Sequence, residues 1–283
     1  MSTILILTLL GVSSCRNIER LHHTPPVLPA GWCQHQPCWT YKNIIINQPS
    51  SSILVYLLSA LTFWIAYYFY KTRNGQKSRY WWAISLLLGG LGAAAAGTSF
   101  QAFAYEIKCA GKAICSLTSW WEVTYNILTV AGVGALLIAI SYSCMSAKGQ
   151  KWSRIYALCS TLIYTVVCLV GAFLPNAFLV SFEGMILATL PAYFVIIALN
   201  IFQYKKSPSP ILVRLLICWG LLAAVFGAYY WYAVNGYTQQ FWKQGIWFSE
   251  NDVLHVMMLF WCWYVYFILE KWIIDKCVRK SFA

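Results

Sequence analysis

Stretches of about 20 mostly apolar residues recur along the chain with short polar breaks between them, and each is long enough to cross a hydrocarbon core of ~30 Å as a helix. They fall at 51–70, 80–105, 121–143, 154–174, 177–203, 211–233 and 252–272. The pattern predicts an all-α, polytopic membrane bundle of seven transmembrane helices occupying 51–272. An extracytoplasmic segment, 1–50, precedes it, and a basic cytoplasmic tail, 273–283, follows. Aromatic residues gather near span ends, as in Tyr80-Trp81-Trp82 and Trp120-Trp121, where amphipathic rings favour the headgroup layer. The second span carries a run of small residues from Gly89 to Gly97. Such a run lets neighbouring helices approach closely, which places this helix at the centre of the bundle.

Composition agrees: 60% of residues are hydrophobic and 10% charged, against about a quarter charged in a soluble domain. The net charge of +12 does not indicate nucleic-acid binding, because the basic residues alternate between loops. Fourteen lie on one side (Lys71, Arg73, Lys77, Arg79, Lys148, Lys151, Arg154, Lys205, Lys206, Arg214, Lys271, Lys276, Arg279, Lys280), and Arg16, Arg20, Lys42, Lys108, Lys112 and Lys243 lie on the other. The positive-inside rule then sets the N-terminus outside and the C-terminus in the cytoplasm, the inner membrane in a bacterial cell. No phosphate-binding glycine loop, paired CxxC module or catalytic serine signature is present.

Met1–Gly11 is apolar but too short to span, and Val12-Ser13-Ser14-Cys15 fits the site where a lipoprotein signal is cut before a cysteine. No Lys or Arg precedes the stretch, so a plain signal or a short anchor stands beside lipidation at Cys15. Cys33, Cys38, Cys109 and Cys115 fall outside, where disulfides persist. Their spacing is not that of a zinc module, and three pairings are open. Cys144, Cys159, Cys168, Cys218, Cys262 and Cys277 lie in spans or face the cytoplasm and read as small apolar fillers.

Ionisable and amide side chains inside the membrane are costly and draw attention to function. Glu183 stands about two turns into the predicted fifth span. Gln48 and Ser51 open the first span, Ser99, Gln101 and Glu106 close the second, Glu122 and Asn126 open the third, and Asn251, Asp252 and His255 open the last. Their common depth predicts an outward-facing polar pocket. Ser249-Glu250-Asn251-Asp252 also fits a helix cap with its capping box. His255 is the histidine that falls within a span.

These residues carry a resemblance. Gln48-Pro49-Ser50-Ser51 opening span one, Gly97 to Phe103 closing span two, Glu122 opening span three and Asn251 to His255 opening span seven resemble the seven-helix membrane hydrolases that include alkaline ceramidases and adiponectin and progestin-type receptors. Gly97 to Ser143, with Thr118-Ser119-Trp120-Trp121-Glu122, is similar to a group of uncharacterised microbial membrane proteins. The resemblance implies zinc-dependent hydrolysis of a lipid amide on three histidines. Gln101 and Asn251 stand where two of them are expected, and amides are poor zinc ligands, so the three-histidine site does not form. The expected function is therefore binding of a lipid or small molecule in the outer pocket, with no cofactor. The alternative is an atypical hydrolase of a lipid amide with a divalent metal on His255 and Glu106, Glu122, Glu183 or Asp252, of which Glu183 and Asp252 come first, helped by His35 from the outer segment. A transporter or channel is the third class, but inverted repeats and matched broken helices are missing. The oligomeric state is open.

Overall fold

The computed structural model describes residues 17–34 and 36–275. Met1–Gly11, Cys15, His35, Cys277 and the tail residues Lys276, Arg279 and Lys280 lie outside the described residues. A short antiparallel hairpin, β1 (Cys38–Tyr41) and β2 (Ile44–Asn47), leads into α1 (Pro49–Lys71) and α2 (Lys77–Ala96), the latter continued by a π-helical turn, Gly97–Ala102. Then come the short α3 (Ala104–Lys108), α4 (Trp120–Cys144), α5 (Ala147–Phe173), α6 (Phe182–Lys206), α7 (Pro210–Val234), the short α8 (Tyr237–Lys243) and α9 (Glu250–Tyr264), which continues in π and 3-10 turns to Trp272. Seven of these helices are long and apolar enough to cross a membrane: α1, α2, α4, α5, α6, α7 and α9.

Helix starts follow local chemistry. Proline stands at the first position of α1 and α7, where a missing N–H costs nothing. Ser181 accepts from the Gly184 N–H at 3.0 Å to cap α6. This cap, after a 3-10 turn at Phe178–Val180, delays α6 to residue 182 rather than the expected 177. Helix α5 starts earlier than expected, at Ala147, and takes Lys148, Lys151 and Arg154 into its first turns, where long side chains can extend away from the apolar layer.

Helix α2 packs between α1 and α4, with Ser59 Oγ donating to Gly90 O and Ser85 Oγ donating to Gly132 O, both at 2.8 Å. The central place, however, belongs to α4: 72% of its apolar window is buried, against 39% for α2. Two glycines account for part of this, since a Cβ on Gly134 would lie 3.1 Å from that of Ala157 on α5, and Gly132 meets α2. At Gly89 of α2, by contrast, an added Cβ would enter open space.

One end of the bundle is capped by residues 17–48. Ile18 and Leu21 enter a core with Val123, Tyr164 and Met185. Backbone bonds from Leu117 N to Leu21 O and from Cys115 N to Val27 O stitch this strap to the loop between α3 and α4. Disulfides join Cys33 to Cys38 and Cys109 to Cys115, which selects one of the three pairings. The hairpin was not legible in the sequence; its turn puts Lys42 at φ 54°. At the opposite, basic end, the chain after α9 returns to α2. The Asp275 carboxylate accepts from Lys77 N and Ser78 N at 2.8 Å each, Asp275 N donates to Gln76 Oε1, and Arg79 pairs with Glu270.

Candidate functional site

Six of the seven long helices, all except α5, surround a cavity of about 220 Å³. The small residues of α2 explain it: Gly89, Ala93 and Ala96 face this space together with Gly132 of α4 and leave it unfilled. Val55, Tyr125, Tyr193, Met258 and Trp261 form much of the remaining wall, and His255 contributes an imidazole. His255 is 6% exposed, and its Nδ1 has no hydrogen-bond partner among the described residues.

Most of the other residues expected in an outer polar pocket bond to one another or to backbone. Gln48 donates to Gln36 Oε1 at 3.0 Å and accepts from Asn251 Nδ2 at 3.4 Å. Ser51 and Ser249 hydroxyls lie 3.1 Å apart. Asp252 Oδ2 accepts from Ser249 N at 2.6 Å and from its hydroxyl at 2.9 Å, in a capping box at the start of α9. Glu106 Oε1 accepts from Ile45 N, and Asn126 Nδ2 donates to Val180 O at 2.8 Å. Gln101 is buried, and its Oε1 has no hydrogen-bond partner among the described residues. Glu183 lies in the first turn of α6, exposed, rather than two turns deep. Of the expected set, His255 lines the cavity.

Ser99 and Glu122 belong to a buried cluster whose third member, Lys108, was missed. Ser99 Oγ lies 2.8 Å from Glu122 Oε1 and 2.6 Å from Ser119 Oγ, Lys108 Nζ pairs with Glu122, and both charged residues are under 5% exposed. In sequence Lys108 reads as a loop cation beside Cys109. Its signal was the apolar context, which leaves an inward lysine needing a carboxylate. Among the described residues no three His, Cys, Asp or Glu side chains are grouped so as to hold a metal ion.

His23 of the strap sits near this cluster, with its ring 6.2 Å from that of Trp32. Burial first, then the positive charge of Lys108, hold its pKa below the ordinary 6.5, with Glu122 opposing and His22 adding slightly. Between the folded and unfolded values the unfolded chain binds the extra proton, so stability falls as pH drops below 6.5 and stops falling once the folded value is passed. Melting temperature measured from pH 8 to pH 4.5 should show this decline. His23→Phe should flatten it, and an unchanged slope would show that His23 is not its source.

A second cleft, of about 260 Å³, lies at the basic end between the termini of α4, α6 and α7, with Ser143, Gln203, Lys206 and Asp275 in its lining.

Seven helices long and apolar enough to cross a membrane define a multi-pass integral membrane protein. The chain belongs to a family of unknown function (DUF6962), whose model matches residues 50–272 and so takes in nearly all of the seven-helix bundle. No curated protein and no solved structure matches it.

Proposed function

We propose that the protein binds a lipid or another apolar small molecule inside its bundle, through the cavity that ends on His255. The supporting observation is a cavity of about 220 Å³ among six helices whose lining includes the mostly buried His255. An engineered apolar cavity of ~150 Å³ takes up benzene, so this one has room for a ligand of that order or somewhat larger. A mostly apolar wall with few polar groups is the usual character of a small-molecule site. The resemblance to seven-helix lipid hydrolases suggests the same ligand class, while Gln101 and Asn251 in the histidine positions argue against their zinc chemistry. The orientation we assign puts the disulfide-bearing end outside and the basic end in the cytoplasm, supported by the skew of Lys and Arg and by both disulfides lying at one end.

The test is photo-crosslinking of the protein in nanodiscs with a lipid carrying a diazirine near the middle of its chain. Labelled peptides should come from α4 and α9, around Tyr125 and Met258. Ala93→Phe, which fills the cavity from α2, should suppress that labelling at unchanged melting temperature. Labelling confined to outward residues of α5 such as Leu158 and Ile163, indifferent to Ala93→Phe, would refute the reading.

A further inference from the structure

The chemistry of the cavity wall narrows the ligand, given the reading above that this cavity is a ligand site. None of its lining residues is Asp, Glu, Lys or Arg. Three of its hydroxyls already spend their protons on backbone: Thr62 on Leu58 O at 2.6 Å, Ser85 on Gly132 O at 2.8 Å and Thr129 on Tyr125 O at 2.9 Å. His255, more than nine-tenths buried, keeps Nδ1 without a partner among the described residues. An ionised head group placed here would have no counter-charge, and an unpaired buried ion costs several kcal/mol. A hydroxyl asks for one hydrogen bond, which the imidazole of His255 in the lining can supply.

Shape adds a second constraint. The lining of α4 runs from Tyr125, at the level of His255 near the capped end, to Leu136, a distance of roughly 16 Å at 1.5 Å per residue. A cavity of about 220 Å³ extended over that length has room for a single hydrocarbon chain.

We propose that the ligand is an uncharged single-chain lipid with a hydroxyl head, a long-chain alcohol, whose oxygen meets His255 and whose tail runs along α4 toward Trp261 and Leu136.

The test is displacement of the diazirine lipid from nanodisc-embedded protein by three matched probes: 1-decanol, decane and decanoate at pH 8. Decanol should displace at about tenfold lower concentration than decane, the worth of one net hydrogen bond at the upper end of its range, and decanoate should be weaker than both. His255→Leu should erase the difference between decanol and decane while leaving displacement by decane intact, and His255→Gln, which keeps a polar head, should restore part of it. Equal potency of decanol and decane in the parent protein, or decanoate as the strongest competitor, would overturn the assignment of the head group and leave the cavity reading standing. Cavity labelling that none of the three probes displaces would have the same meaning. Failure of the lipid to label the cavity at all would overturn both.

Discussion

Replacing Lys108 by Met should lower the stability of the folded bundle by about 3–5 kcal/mol, because it leaves the Glu122 carboxylate charged, buried and without its cation. The carboxylate is 3% exposed, and what remains to it is the hydroxyl of Ser99 at 2.8 Å. Glu122→Gln should cost a comparable amount by stranding Lys108, whose other polar contact is Leu117 O at 3.3 Å. Replacing both together, as Lys108→Met with Glu122→Leu, should recover much of the loss, since a buried pair replaced by apolar groups of similar volume is often neutral or better. Thermal unfolding in detergent of the two single variants and the double would decide this. Single variants within 1 kcal/mol of the parent would mean that water reaches the pair and that the strap does not seal it.

The seven crossings were legible because a membrane leaves few solutions for an apolar 20-residue segment. The site was less so, and particular residues show why. Gln48, Ser51, Asn251 and Asp252 were grouped by depth, but depth does not say whether a polar side chain faces a void or a partner. Here they bond among themselves and with Gln36 and Ser249. Glu183 was misplaced by about a turn because Phe178–Val180 is apolar enough to read as span, while the Ser181 cap that starts α6 is a local geometry. The cavity itself is made by absence. Gly89, Ala93 and Ala96 were noted as a surface for close packing, yet they face open space, and no periodicity distinguishes a small residue that touches a neighbour from one that leaves a hole. The same limit explains why α2 looked central while α4 is. Cys109 and Cys115 were expected to be bridged, but their pairing depends on the turn at Gly111, φ +70°.

Gly97→Ala should destabilise the bundle by about 1–3 kcal/mol, the usual cost of overfilling a packed contact. A Cβ at Gly97 would land on Cγ1 of Val55, and that valine is 1% exposed in α1. A β-branched side chain on a helix has one strongly preferred rotamer, so Val55 cannot swing aside. The position also opens the π-helical turn at Gly97–Ala102 that presents Ser99 to Glu122, so a forced shift there would be felt in the buried charge cluster as well. Val55→Ala supplies the missing room. Alone it should also destabilise, by removing buried methyl groups beside the cavity, but combined with Gly97→Ala the total loss should be smaller than the sum of the two, with a coupling of about 0.5–3 kcal/mol. Additive losses would show that α1 and α2 are not in contact at this point. The cycle therefore tests the close approach of α1 and α2 at one wall of the cavity, which Val55 also lines.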